Sequence, residues 1–482
     1  MNPPIRRLAA FAAILLLALL VNANWVQVVQ SKALKDRPGN SRLILAEYSR
    51  QRGAITVAGS SIAYSVPTND QLKYLRTYRN GPLYAPVTGF YSLTYGSTGI
   101  ENAENSLLAG TSEKLFVRNL KSLLTGEQPK GGSVALTLNP RAQQAAYQAL
   151  GGRRGAAVAI DPSTGAILAL VSTPSYDPNL LSAHSSSKNQ AAWTKLNADP
   201  AQPMLDRAIS QTYPPGSTFK LVTSAAAIPD LGLTPASTVP GPASLQLPLT
   251  THKLPNESGL ACGPNNTTTL EHALAISCNT AYASIGLRLG AQRLADEAAK
   301  FGIGQKMSIP LPVAASHFPD HPDAPETALS AIGQYDVRVT PLQMAMVVAS
   351  IANHGVLMKP YLVDSLRAPD TTVLERTSPQ VMSTPMSPQT AAQIGQMMVA
   401  VVQNGTGPNG RIPGVTVAAK TGTAQTAPGR PPLAWFVSYA PADNPRVAVA
   451  VVIENGTSNT QISGNGLAGP VANAVMRAVL GK

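Results

Sequence analysis

The sequence predicts a membrane-anchored α/β protein of the α+β kind, in which an antiparallel sheet and helices follow an elongated β-rich module. Three observations carry this expectation. No charged side chain occurs from residue 8 to residue 31. Helical patterns recur through the middle of the chain, and three strand-like runs precede a final helix. Helices combined with a C-terminal antiparallel sheet require no dinucleotide fold.

Composition narrows the function classes. The 482 residues suffice for about three domains, or two and an anchor. Hydrophobic residues make up 44% and charged residues 13%, about half the roughly 25% usual in soluble domains, so the chain has material for a core rather than long polar tails. Lys and Arg total 37 against 25 Asp and Glu, a formal net charge of +12, yet no basic run exceeds pairs such as Arg6-Arg7 and Arg153-Arg154. With 7 Phe and 3 Trp for base stacking, this argues against nucleic acid and favours an anionic membrane surface or wall polymer. Two cysteines, Cys262 and Cys278, exclude a cysteine-rich scaffold or a four-cysteine zinc site.

Taken in order, residues 1–31 form the first unit. Arg6 and Arg7 precede a continuously apolar Leu8 to Val21, and Trp25 stands where an interfacial aromatic belongs. The uncharged stretch reaches about 36 Å as a helix, enough for a hydrocarbon core of about 30 Å, so a single-pass anchor with the arginines inside is expected. The alternative is a signal peptide cleaved near Val21-Asn22-Ala23. Either way the remaining chain is exported. Residues 32–132 are irregular, with turns at Thr68-Asn69-Asp70 and Asn80-Gly81-Pro82, and end in a linker, Gly126 to Gly132. The last unit is residues 133–482. It opens with a strand, Ser133 to Leu138, a helix, Pro140 to Leu150, and a hairpin of Ala156 to Ile160 with Ala166 to Ser172. Helical patterns follow at Ser217 to Ile228 and Thr269 to Gly290, with Thr269 as N-cap, and a third begins at Thr340-Pro341. Strands at Val415 to Gln425, Leu433 to Ala440 and Arg446 to Glu454 lead to a helix from Gly466 to Leu480.

The strongest chemical signal is Tyr213-Pro214-Pro215-Gly216-Ser217-Thr218-Phe219-Lys220. A proline-glycine turn delivers Ser217 to the first turn of a helix, and Lys220 follows on the same face within reach of its hydroxyl. Desolvation by Leu221, Val222, Ala225 and Ala226 lowers a lysine pKa in the direction a general base needs. The helix N-terminus also favours negative charge on substrate. Against this stands an ordinary N-cap serine, and a second Ser-x-x-Lys, Ser185 to Lys188, reads as a loop. Two further motifs follow in order: Ser277-Cys278-Asn279, and Lys420-Thr421-Gly422-Thr423 at the end of an apolar strand. Ser-x-Asn recurs at Ser187 to Asn189 and Ser463 to Asn465, whereas Lys-Thr-Gly is unique. Gly422, without a Cβ, lets substrate lie against an edge strand, while Lys420 and the hydroxyls of Thr421 and Thr423 suit a carboxylate. The backbone N–H groups of Ser217 and Thr423 suit an oxyanion hole. For Lys420 the plain alternative is a solvated strand end.

Together these motifs resemble the signature of penicillin-recognising acyl-serine enzymes. The likeness extends to Arg52-Gly53-Ala54-Ile55, Tyr95 to Gly110, Ala157 to Asn179, Gly333-Gln334 and Thr340-Pro341-Leu342-Gln343, so most of the chain resembles a class B penicillin-binding protein of the actinobacterial A type. The resemblance implies a transpeptidase domain of the serine β-lactamase-like fold at 133–482 and a pedestal or dimerisation-type module at 32–132. It implies attack by Ser217 on a D-Ala-D-Ala bond, with β-lactams as covalent inhibitors and an amino group of a neighbouring stem peptide as acceptor. Ser277 is then the proton relay to the leaving amine and Asn279 a partner of the substrate amide. Partners implied are peptidoglycan stem peptides, the membrane and a SEDS-type polytopic glycosyltransferase in cell division or cell shape. No cofactor and no metal are implied.

Two departures qualify the likeness. The family often continues Arg-Gly-x-Ile with Asp-Arg, where this chain has Thr56-Val57. Cys278 interrupts the Ser-x-Asn motif, and with Cys262 it is either a disulfide pinning that segment or one of two separate buried thiols.

Competing readings lack material. Cys278 with His272 has the wrong spacing for a cysteine protease, and no Gly-x-Ser-x-Gly elbow occurs. His317 and His321 sit in a proline-rich loop unsuited to a helix-borne zinc site. A D,D-carboxypeptidase or β-lactamase usually places its nucleophile nearer the mature N-terminus. A non-catalytic β-lactam sensor calls for a signalling domain, whereas a scaffold role is compatible with catalysis.

Overall fold

The computed structural model describes residues 3–30, 47–115, 130–426, 431–454 and 463–482. Most of the expected linker, and the start of the segment following the anchor, lie outside them. Pro3–Asn24 is a helix continued by a wider turn, Trp25–Val29. Residues Pro3–Gln27 are long and apolar enough to cross a membrane, and none is buried against the rest of the chain.

The central sheet of the C-terminal unit is antiparallel throughout, in the order Ala418–Ala424, Leu433–Ala440, Val447–Ile453, Gly155–Ile160, Ile167–Thr173. Its period of two sorts the side chains. Val447, Val449, Val451 and Ile453 meet Ala142, Ala146, Val471 and Val475 of the helices Pro140–Leu150 and Gly469–Leu480. Ala448, Ala450 and Val452 enter the other core with Met344, Val347 and Val348 of the helix Pro341–Ala352. Because both faces are covered, the strand reads as an unbroken apolar run rather than an alternation. Ala418–Ala424 is left at the sheet's edge, where one side remains open to a ligand.

A second sheet links the two halves of the chain. Its order is Val373–Arg376, Val363–Arg367, Ser133–Leu136, Ile55–Val57, Ser60–Pro67, Tyr74–Tyr78, with Ile55–Val57 parallel to Ser133–Leu136. Short helices at Gly81–Thr88, Gly99–Ala103 and Asn105–Leu108 accompany these strands, an addition that the broken apolar pattern concealed. Arg52 and Tyr95 to Gly110, distant in sequence, meet around one buried carboxylate. Arg52 Nε donates to Glu101 Oε2 at 2.7 Å, Arg76 Nε to Oε1 at 2.5 Å, and Tyr78 Oη to Oε1 at 3.1 Å. Although burial pushes the Glu101 pKa up, the guanidinium groups of Arg76 and Arg52 hold it below its ordinary value. Asn179 ties the module to the C-terminal unit, accepting from Tyr78 N and donating to Tyr78 O, each at 2.9 Å.

Two sequence expectations change. Ser185 to Lys188 is not a loop: Ser185 caps the helix Ser186–Ala198, accepting from Lys188 N at 3.4 Å. Trp193 of that helix stacks on Tyr95 with ring centroids 4.3 Å apart, an aromatic anchor that a polar composition does not reveal. Thr269 to Gly290 is two helices, Leu270–Ala275 capped by Thr269 and Asn279–Leu289, separated at Ser277, whose φ is +62°.

Candidate active site

The nucleophile turn is built by close backbone approach. Gly216 has φ +53° and opens the short turn Gly216–Phe219, which runs into the helix Lys220–Asp230. A Cβ on Gly216 would lie 2.9 Å from Thr423 O, and one on Gly422 would lie 2.9 Å from the Thr218 methyl and 3.1 Å from Pro215 O. Gly422 therefore admits the nucleophile turn against the strand. Trp435, buried on the neighbouring strand, donates from Nε1 to Pro214 O at 2.9 Å and fixes the approach to Ser217. Ser217 is no N-cap: Pro215 holds that position, without a side-chain cap.

The three motifs converge on one polar cluster. Lys220 Nζ donates to Ser277 O at 2.8 Å and Asn279 Oδ1 at 2.8 Å, and lies 3.3 Å from Ser277 Oγ. Lys420 Nζ donates to the same Ser277 Oγ at 2.9 Å and to Thr421 O at 2.8 Å. Among the described residues no hydrogen bond joins Lys220 to the Ser217 hydroxyl; the lysine turns to the second motif instead. Both lysines are fully buried. Burial drives the Lys220 pKa far down and the Lys420 charge pushes it further, whereas Glu257 opposes both. Burial lowers the Lys420 pKa to about 7, again against Glu257. A neutral Lys220 keeps its two N–H bonds to Ser277 O and Asn279 and turns its lone pair to the Ser277 hydroxyl, which in turn accepts from Lys420.

The left-handed Ser277 is held from both sides. Cys262 and Cys278 are bonded, so the loop between them is closed beside the motif. Asn256 caps the following helix from outside: its Oδ1 accepts from Asn279 N at 3.0 Å and Thr280 N at 3.1 Å, and its Nδ2 donates to Pro242 O and Leu260 O. Sequence reasoning missed Asn256, because a cap supplied by a loop two dozen residues upstream leaves no local pattern.

A cleft of about 550 Å³ opens over this cluster, with Ser217, Asn279 and Thr423 among its walls. Thr423 faces it. The Thr421 hydroxyl is instead within 2.6 Å of Thr406 Oγ1, a second residue that the sequence reading overlooked. Two decoys fall elsewhere: Asn189 lies in the helix capped by Ser185, and Ser463 caps a turn near the C-terminus.

A serine at the cleft wall one helical turn from a buried lysine, a Ser-x-Asn hydroxyl between two lysines and a Lys-Thr-Gly edge strand define an acyl-serine transferase site. The match to "Penicillin binding protein transpeptidase domain" spans residues 155–477, and that to "Penicillin binding protein A dimerisation domain" spans residues 52–134. This chain belongs to the penicillin-binding protein transpeptidase family. It is 47% identical to the peptidoglycan D,D-transpeptidase PbpA of Mycolicibacterium smegmatis, over 100% of this chain and 99% of the relative. It is 45% identical to PbpA of Mycobacterium tuberculosis, with the same coverage. The ceftriaxone acyl-enzyme structure of penicillin-binding protein A from M. tuberculosis superposes with a TM-score of 0.88 at 45% identity, covering 90% of this chain and 100% of that one.

Proposed function

We propose that this chain, a peptidoglycan D,D-transpeptidase inhibited covalently by β-lactams, works through the following division of labour. Ser217 attacks the carbonyl of the penultimate D-alanine, and neutral Lys220 takes its proton. The Ser217 and Thr423 N–H groups receive the developing oxyanion. Ser277 passes the proton on to the leaving amine, Asn279 holds the substrate amide, and Lys420 with Thr423 receives the terminal carboxylate. Thr421, engaged with Thr406, and Gly422 shape the strand. The observation that carries this reading is Ser277 Oγ between Lys220 and Lys420, at 3.3 and 2.9 Å.

The same reading places residues 1–31 as cytoplasmic tip and anchor, 32–132 as pedestal and 133–482 as the catalytic domain outside the membrane. Arg6-Arg7 ahead of the apolar helix supports that orientation. A SEDS-type polytopic glycosyltransferase is the proposed partner in division or elongation, since the pedestal carries no catalytic pattern of its own.

Intact-mass analysis after incubation with penicillin tests the assignment. One adduct on Ser217, lost in Ser217→Ala, is expected; retained labelling in that variant would sink it.

A further inference from the structure

Charge in the catalytic cleft is unevenly placed. The two lysines are buried behind its walls, where Lys220 bonds Asn279 and both reach Ser277, and none of the polar residues paired with them is a carboxylate. The one carboxylate among the described residues lining the cleft is Glu257, which is exposed and makes no salt bridge among them. Its place is nonetheless fixed, because its chain neighbour Asn256 is clamped by four hydrogen bonds to Asn279, Thr280, Pro242 and Leu260. Glu257 therefore travels with the segment that presents Ser277 and Asn279.

That segment is where the leaving amine departs. By microscopic reversibility the acceptor amine enters along the path by which the first amine left, and it enters as a cation, since an alkylamine is protonated at neutral pH. We propose that Glu257 is the acceptor subsite of this transpeptidase, binding the ammonium of the incoming stem peptide's diamino acid and delivering it as free amine to the acyl-Ser217 ester. The proposal rests on the transpeptidase reading given above.

The step balances. The ammonium gives one proton to the Glu257 carboxylate and thence to water. The amine lone pair forms the C–N bond at the ester carbonyl, and the adduct passes its second proton through Ser277 and Lys220 to Ser217 Oγ as the C–O bond breaks. Ser217 is regenerated as the hydroxyl and Lys220 as the neutral amine. Glu257 at the rim suits the cationic acceptor and repels the carboxylate of the donor, so the donor's anionic end is kept to the Lys-Thr-Gly side of the cleft.

The test uses the full-length chain in detergent and a thioester donor, and it reads the ratio of aminolysis to hydrolysis of one acyl-enzyme. That ratio is independent of how fast the acyl-enzyme forms. Two acceptors are compared: a diamino-acid amide, which is cationic, and hydroxylamine, which is uncharged at the assay pH. Glu257→Gln should cut the ratio for the cationic acceptor at least tenfold relative to that for hydroxylamine, and Glu257→Asp should restore part of it. Equal losses for both acceptors, or none, would overturn the proposal. A wild-type chain that forms no acyl-enzyme from the thioester would instead overturn the transpeptidase reading beneath it.

Discussion

Two buried charge clusters, one in each half of the molecule, are built in opposite ways. In the N-terminal region, Arg52 and Arg76 share the fully buried Glu101, and further bonds to Glu101 O, Gly53 O and Asn105 Oδ1 take up much of their donor capacity. In the catalytic unit, Lys220 and Lys420 are equally buried, but their hydrogen-bond partners among the described residues are all neutral oxygens. The first cluster keeps its charges by pairing them. The second sheds charge, because burial without a counterion favours the neutral amine. Arginine suits the first task, since its guanidinium stays protonated, and lysine the second, since its pKa moves.

The sharpest way to break this contrast is to remove the charge from each. Lys220→Met should lower penicillin acylation by about 10²–10⁴-fold, the usual reach of general-base catalysis, while leaving the melting temperature unchanged or higher. Lys420 adds a pH signature. Its pKa of about 7, against an ordinary value near 10.5, means that the unfolded chain holds the proton across that window and the folded chain does not, so stability rises with pH there. Lys420→Met should reduce that rise without abolishing it, because the Lys220 pKa is also driven down by burial, and the double variant with Lys220→Met should flatten it, as read by urea unfolding from pH 6 to pH 10. A rise of unchanged slope in Lys420→Met would show that Lys420 stays protonated in the folded chain.

Glu101→Gln is the mirror experiment. It strands two buried guanidinium groups, at a cost of about 3–5 kcal/mol, yet the fraction that folds should acylate normally, since Glu101 does not line the catalytic cleft. A fall in acylation per folded molecule, measured with fluorescent penicillin after size exclusion, would show that the two clusters are coupled.

Next in size comes the disulfide. Replacing both Cys262 and Cys278 with serine removes a loop closure worth about 3 kcal/mol and also loosens the left-handed Ser277 between its two helices. Stability and acylation rate should fall together, whereas Glu101→Gln lowers stability alone. Lost stability at full acylation rate would assign the positioning of Ser277 to Asn256 instead.

How much of this was legible in the sequence follows from the range of the interactions. The Lys-Thr-Gly strand, its two partners and the C-terminal helix were readable because period-two and helical patterns are local, and the three motifs are contiguous. What escaped lies in contacts between distant segments. Asn256 caps a helix that begins at Asn279, and Thr406 meets Thr421 across a turn. Glu101 joins Arg52 and Arg76 from three separate elements. The Ser185 helix was misread because its stability comes from Trp193 on Tyr95, outside the segment itself. Ser277 broke an apparently continuous helix because a left-handed serine there is fixed by tertiary bonds, and propensity carries no sign of it.

The smallest effect concerns the one carboxylate near the uncompensated cluster. Glu257 raises the pKa of both lysines against the downward pull of burial, so it supplies a trace of the pairing that Glu101 supplies in full. Glu257→Gln removes that support, and Lys220 then becomes neutral at lower pH. The acidic limb of the penicillin acylation profile should move to lower pH in the variant, while the plateau at higher pH, where Lys220 is already neutral, keeps its height. Raising the ionic strength should shrink the displacement, because Glu257 is exposed and its field is screened, whereas a buried partner would be insensitive. A limb that stays in place would mean that the glutamate's charge does not reach the lysines, and the catalytic cluster would then be as isolated from countercharge at its mouth as it is in its interior.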